Sequence, residues 1–344
     1  MTRVITCLYC DSPNTSKVLK VGDIRYFPQD IFIVTKCDSC GICFTAPKLD
    51  EESIKKYYPG DYGAYTSKEQ ISSIFQMVRT HPLGLTGQIS NTLRRFYGKN
   101  LHNELWGLGF KRFKAKLTGL LYRLAFDLVL KGDFYAEDLP LKQGKTKLLW
   151  IGSGSPKVFA KLKHQFNMNI SIIHLNEEMV NAYRAEGLNA QLGTIKSLNL
   201  EKDSFDLIFF SHVIEHLLDP RQEVAKLAKW LHPNGTMIVL FPDYGSLEWN
   251  TGSTYYDVPR HQTHLTHNSA NMIFKNAGLQ VLKSMNTPYG WGLFQNKYFK
   301  KYLQSGKIDK KCFGGMLQIR HRLLSTALSF FGHSGNAVFY LKKR

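Results

Sequence analysis

From Lys147 onward the chain alternates short apolar runs with helical patterns, and the first run ends in a glycine-rich turn. This alternation constrains the fold more than any other feature. Segments 148–151, 170–175, 205–210, 236–241, 279–284 and 337–341 read as strands. Segments 157–166, 177–186, 220–231 and 269–277 read as the helices between them. Strands that alternate with helices predict an α/β fold with a largely parallel sheet. Gly152-Ser153-Gly154 lies between the first strand and its helix. A turn of that kind brings backbone N–H groups close to a ligand at the crevice beyond the strand ends. G-x-G alone does not separate SAM from NAD. Lys157 stands where the dinucleotide pattern G-x-G-x-x-G needs its third glycine, which disfavours a dehydrogenase.

The cysteines constrain the other end. Cys7-x-x-Cys10 and Cys37-x-x-Cys40 are two C-x-x-C pairs separated by 26 residues, with Gly41 suited to a tight knuckle. Four thiolates match the tetrahedral, soft preference of structural zinc. Segments 18–21 and 31–35 read as short strands between the pairs. With all four positions filled there is no open coordination site, so the zinc is expected to be structural. Cys43 reads as a small buried residue on a strand rather than a competing ligand. The N-terminus has no apolar core of signal-peptide length, and no run reaches the ~20 apolar residues of a membrane span. The expected setting is therefore cytoplasmic and reducing, where clustered cysteines bind metal.

The formal charge of +18 is concentrated. Segment 94–123 carries a net +7 and segment 297–344 a net +10. Such clustering points to an anionic partner: lipid headgroups, nucleic acid or a phosphorylated substrate. Phe113, Leu117, Leu120, Leu121, Leu124 and Leu128 form a helical stripe flanked by Lys and Arg. It suits either packing on the next domain or lying on an anionic membrane surface. In segment 286–336 Tyr289, Trp291, Phe294, Tyr298 and Phe299 interleave with Lys297, Lys300 and Lys301. That pattern can stack bases or dock at headgroups.

Several phrases together resemble a known family. Segment 148–155, LLWIGSGS, resembles the glycine-rich first motif of class I S-adenosylmethionine (SAM) methyltransferases. Segment 203–220, DSFDLIFFSHVIEHLLDP, resembles the fourth-strand motif of one large bacterial branch. LHPNGT at 231–236, Pro259-Arg260-His261, NAGL at 276–279 and CDSCGICFTAP at 37–47 follow the same order. The resemblance covers roughly 5–65, 145–284 and the last strand. It implies a Rossmann-like class I methyltransferase fold, mostly parallel and seven-stranded, with an N-terminal zinc ribbon and helical insertions. The implied division is a zinc module at 1–65, a basic amphipathic helical segment at 66–145, and a SAM-binding domain at 146–344 with the basic aromatic insertion at about 286–336.

The resemblance also implies residue roles. Gly152, Ser153 and Gly154 would line the methionine end of SAM, Thr194 and Ile195 the adenine, and Ser211 and His212 the sulfonium. Two departures stand out. The first strand ends without a carboxylate. The second ends at His174, where the family has an acid that grips the ribose hydroxyls; Glu177 and Glu178 lie just beyond. Imidazole makes one such hydrogen bond but lacks the charged, bidentate acceptor.

Methyl transfer needs alignment and, for a hydroxyl acceptor, a base. The base candidates are His212, His216, His261 and His264, with His212 the best placed and His216 more suited to packing. Segment 255–264 reads as an acceptor-binding loop in which Arg260 holds a phosphate or carboxylate and His261 assists. His261, His264 and His267 carry a weaker suggestion of metal. The expected activity is O-methylation of a sugar or related group in a surface glycan or its nucleotide- or lipid-linked precursor. Basic patches would hold the enzyme at the inner membrane face. The alternatives are an RNA methyltransferase and a catalytically silent scaffold subunit that serves a protein partner.

Overall fold

The computed structural model describes residues 5–23, 26–27, 29–59, 146–154, 156–247, 257–287 and 335–344. The helical segment 66–145, nearly all of the insertion at 286–336 and most of both basic segments lie outside the described residues. No helix among the described residues is long and apolar enough to cross a membrane.

The strands β4 (Lys147–Ile151) and β7 (Phe205–Ser211) are almost continuously apolar, and both of their faces are buried. Such strands belong in the middle of a sheet covered on two sides. They are neighbours at the centre of a seven-stranded sheet. After β4, the chain passes through α2 (Pro156–Phe166) to β5 (Asn169–His174), then through α3 (Glu177–Ala185) to β6 (Asn189–Leu192). It then returns to β7, on the other side of β4, and continues through α4 (Pro220–Trp230) to β8 (Leu231–Pro242). These five strands are parallel. After α5 (His267–Asn276), β10 (Leu279–Thr287) forms the sheet edge. The last strand, β11 (Asn336–Lys343), inserts antiparallel between β8 and β10. The sheet order is β10-β11-β8-β7-β4-β5-β6, a mostly parallel, Rossmann-like arrangement. Strand order reverses between β4 and β7, and that reversal opens a crevice beyond their carboxyl ends.

The helices start where local chemistry dictates. Asn176 caps α3 through the Met179 N–H, and Thr266 forms a reciprocal capping box with Ser269 on α5. On α4, Asp219 accepts from the Gln222 N–H, and Glu223 accepts from the Asp219 N–H at 3.2 Å. Burial, reinforced by the charges of Asp219 and Glu51, pushes the Glu223 carboxyl up to about 7. A folded value above the unfolded one favours the fold at low pH, and this contribution is lost as pH rises through about 7. Glu223→Gln should therefore be more stable than the parent above pH 7, by about 3 kcal/mol at 1.36 kcal/mol per pKa unit. The gap should shrink toward pH 5. Urea midpoints at the two pH values check this, and a pH-independent gap would contradict it.

The N-terminal residues form a second, antiparallel sheet. Its strands are β1 (Thr15–Gly22), β2 (Ile31–Cys37) and β3 (Cys43–Ala46), followed by the short helix α1 (Glu51–Lys55). The fourth strand, β9 (Thr263–His264), comes from the segment after β8 and pairs with β3. One hydrophobic cluster runs through both units. It joins Cys7, Leu8, Tyr9, Ile42 and Phe44 to Ile151, Phe210, Val224, Ile273 and Phe274. The N-terminal sheet is therefore packed on one face of the large sheet, over α4 and α5.

Candidate functional site

The four N-terminal thiols converge. Cys7 Sγ lies 3.6 Å from Cys40 Sγ, and Cys10 Sγ lies 3.6 Å from Cys37 Sγ. A tetrahedron of sulfurs with Zn–S bonds of about 2.3 Å has edges of about 3.8 Å, so the spacing fits that ion. The two turns share one geometry. Asp11 and Gly41 both adopt left-handed backbone, and each donates its N–H to the carbonyl of the cysteine four residues earlier. Cys43 sits half-buried on β3, outside this group.

At the end of β4 the glycine loop meets β7. Gly152 has φ +108°, and a Cβ there would stand 2.8 Å from Val213 Cγ2 and 3.1 Å from the Ser211 carbonyl. Only glycine lets the loop lie this close to the strand end. From α3, the Tyr183 hydroxyl accepts from the Gly154 N–H at 3.0 Å and donates to the Gly154 carbonyl at 2.8 Å, fixing the loop. His174 ends β5 below it. Its Nδ1 accepts from the Asn176 N–H, so Nε2 carries the proton and faces Ser153 Oγ at 3.3 Å. Burial lowers the pKa of this imidazole and keeps it neutral. Here a donor occupies the position where the family resemblance leads one to expect an acidic acceptor. Glu177 and Glu178 are exposed in the first turn of α3.

Thr194 opens a turn closed by Ser197, and its side chain accepts from the Ser197 N–H. The side chain of Ile195 does not reach a ligand surface, because it is packed in the core against the large sheet. The apolar surface at the ends of β5 and β6 is supplied instead by Leu175 and Leu192, 55% and 47% exposed. The sequence carried a signal for them: each is the apolar residue at or just after a strand end.

At the end of β7, Ser211 is followed by His212, a non-glycine residue at φ +52°. Its N–H is tied to the Leu240 carbonyl at 2.8 Å. Strain of this kind persists only where surrounding structure enforces it, and it collects at functional sites. His212 Nδ1 lies 3.4 Å from Glu215 Oε1, an ion-pair separation rather than a formed hydrogen bond. Glu215 is 1% exposed. Burial pushes its carboxyl up, but the imidazoles of His212, His216 and His261 outweigh burial and hold it below its ordinary value.

His216, in the 3-10 turn Ile214–His216, does more than pack. Its Nδ1 is 3.0 Å from both the Arg260 carbonyl and the Tyr58 hydroxyl. A carbonyl only accepts, so Nδ1 carries the proton and Nε2 presents a lone pair. The His216 ring stands edge-on to His261, with centroids 4.6 Å apart. His261 Nδ1 meets the Tyr244 hydroxyl at 2.6 Å, and burial foremost, then the neighbouring His216, lowers His261 to about 4. His261 is therefore neutral at physiological pH.

Three expectations for segment 255–264 are corrected. Its described part, residues 257–264, is buried and joins the two units rather than forming an open acceptor loop. Arg260 is 0% exposed. Its Nε donates to Asp257, and its two terminal nitrogens donate to both carboxylate oxygens of Asp23 and to the Tyr57 carbonyl. Its guanidinium is thus committed to the protein's own acids rather than to a substrate anion. His264 is a β9 residue that hydrogen-bonds Thr45 at 3.0 Å deep in the shared sheet, out of reach of an acceptor. His267 lies beside Asp243, so His261, His264 and His267 do not gather at one point. Glu215, Tyr58 and Tyr244 had not been singled out from the sequence. A buried acid inside the phrase VIEHLL, otherwise apolar but for His216, was the available signal for Glu215.

Residues 149–239 match a family described as Methyltransferase domain. The chain is 36% identical over 80 residues to an uncharacterized 37.1 kDa protein in transposon TN4556 of Streptomyces fradiae. That stretch is 22% of this chain and spans about a quarter of the relative's length, 23%. Among solved structures, an S-adenosylmethionine-dependent methyltransferase from Mesorhizobium loti is 13% identical, with TM-score 0.40, and the match covers 60% of this chain and 94% of that one. Geranyl diphosphate C-methyltransferase from Streptomyces coelicolor A3(2) is 8% identical, with TM-score 0.42, covering 60% and 75%. Residues 149–239 thus match a methyltransferase domain, and the seven-stranded, mostly parallel sheet that contains them has the α/β arrangement expected of one.

Proposed function

We propose that this protein methylates a hydroxyl group, with His212 as the base at the acceptor and the glycine loop 152–154 holding SAM. The observation that carries the reading is His212 held in left-handed backbone at the end of β7, between Ser211 and Val213, the two residues that a Cβ on Gly152 would meet. SAM held in the crevice would supply an electrophilic methyl group, with S-adenosylhomocysteine as the leaving group. The Gly152–Gly154 backbone and Ser153 orient its amino-acid end, and Leu175 and Leu192 offer apolar surface for the adenine. His174 would offer one hydrogen bond from Nε2 to the ribose side in place of its approach to Ser153 Oγ. Ser211 lies between the glycine loop and the acceptor. His212 takes the acceptor hydroxyl proton, and Glu215 behind it stabilises the imidazolium that results. The sugar of a surface glycan precursor as acceptor, and attachment at the inner membrane face, rest on the family resemblance and on the clustered charge. The four thiolates are assigned a structural zinc, which cross-links a sheet that has little core of its own.

Calorimetric titration of SAM into zinc-replete protein tests the cofactor half; micromolar binding is expected. His212→Ala should retain that binding and lose roughly 10²–10⁴-fold in turnover of a nucleotide-linked or lipid-linked sugar. Unchanged turnover in the variant would remove the base assignment. Absence of binding at millimolar SAM would replace the reading with the scaffold alternative, which draws on the donor character of His174.

A further inference from the structure

We propose that Glu215, His216 and His261 form a binding site for one divalent transition-metal ion, of the manganese, iron or zinc type, separate from the four-thiolate cluster. One ligand atom from each residue comes together, all within 4.8 Å of one another. Ligands bound at about 2.1 Å lie at most about 4.2 Å apart, so loading needs a closure of roughly half an ångström. Two imidazoles and one carboxylate are a set that suits such ions and leaves open coordination positions.

An independent observation points to a missing partner. Glu215 is 1% exposed, and neither carboxylate oxygen makes a hydrogen bond. Its nearest cation-forming group is His212, 3.4 Å away. A buried carboxylate left without hydrogen bonds is costly, and in folded proteins such groups are paired or hold metals. A cation among Glu215, His216 and His261 removes that cost.

The surroundings of the two imidazoles fit the same role. Metal-bound histidines donate their other ring N–H to a carbonyl or a similar acceptor, which fixes the ring and raises its basicity. His216 does this with the Arg260 carbonyl, and Nε2 is the nitrogen left for an ion. His261 is held at both ring nitrogens, Nδ1 by the Tyr244 hydroxyl at 2.6 Å and Nε2 beside Asp257 Oδ2 at 3.5 Å. Arg260, anchored by Asp23 and Asp257, holds the carbonyl in place. The site adjoins His212 at the crevice. There the ion would withdraw charge from the acceptor oxygen and ease loss of its proton to His212, a role that rests on the methyl-transfer reading. Occupancy of the site does not depend on that reading.

The test uses the full chain with zinc restored to its cysteines. Manganese(II) is titrated in and the free-ion electron paramagnetic resonance signal is followed. One equivalent should bind with micromolar affinity, with or without SAM, because thiolates take this hard ion poorly. Cobalt(II) should add a second equivalent whose spectrum lacks thiolate charge transfer. Glu215→Gln, and separately His216→Asn, should weaken manganese binding at least tenfold, while circular dichroism and cysteine-bound zinc show the fold intact. No manganese, cobalt or zinc beyond the cysteine-bound equivalent would overturn the proposal, leaving Glu215 as a partner of His212 alone. Uptake unchanged in both variants would also overturn it. Metal uptake without methyl transfer would keep the site and remove the function proposed above; methyl transfer with no metal uptake would do the reverse.

Discussion

Arg260→Met is expected to lower the thermal midpoint by roughly 10 °C and to abolish most methyl transfer. The guanidinium bridges Asp23 of the N-terminal unit, Asp257 and the Tyr57 carbonyl, and neither it nor Asp23 is exposed at all. Removing one partner of a buried ion pair leaves uncompensated buried charge, at a cost of about 3–5 kcal/mol. For a domain of some 200 residues each kcal/mol is worth about 2–4 °C. Arg260→Lys should rescue little, because one ammonium cannot reproduce the fork that grips two carboxylates. Adding Asp23→Asn to Arg260→Met should recover part of the loss, since one orphaned charge disappears. The effect should reach the crevice, because the same segment places His261 and the carbonyl that orients His216. Differential scanning calorimetry and a turnover assay measure both. A midpoint within about 2 °C of the parent would mean that the bridge does not hold the units together.

Cys37→Ser is expected to release the proposed zinc and to unfold the N-terminal sheet. The binding energy of a structural zinc site is on the order of 10 kcal/mol, and it is folding energy for a unit this small. The consequences should not stop at residue 59. Cys7, Leu8, Tyr9, Ile42 and Phe44 share a core with α4 and α5, and the Tyr9 hydroxyl accepts from Asn276 at 2.8 Å. β9 would lose β3 as its partner, and His216 would lose Tyr58. Hydrogen exchange should rise across 5–59 and 257–264, and turnover should collapse. The glycine loop is held from the opposite face of the sheet by Phe159, Tyr183 and His174. SAM binding should therefore fall less than turnover. Unchanged exchange in 257–264 would contradict the coupling.

Six of the seven strands of the large sheet, its helices and the glycine turn were readable because each depends on neighbours within one turn or one strand; β6 was not, because its four residues include Asn189 and Gln191 and bury only one side chain. LLWI and FDLIFF are buried on both faces, and that shows as continuous apolar runs. The four cysteines were readable for the same reason: a knuckle is a property of a few consecutive residues. The order of the last two strands was not, since nothing local to 336–343 states that it inserts between β8 and β10.

Arg260, Glu215 and His216 show the boundary most clearly. A basic residue in a polar and aromatic stretch reads as an anion site when its partner is unknown. That partner, Asp23, lies 237 positions away and is supplied by another sheet. His216 reads as packing until the fold sets Tyr58, 158 positions away, and the Arg260 carbonyl against one ring nitrogen. Short-range periodicity and spacing were enough to state most of the elements, the cysteine cluster and the glycine turn. Which polar side chains are consumed in holding the two units together, and which are left facing the crevice, followed from the fold alone. Electrostatic pairing acts through space, and local spacing does not encode which acid a buried cation will meet.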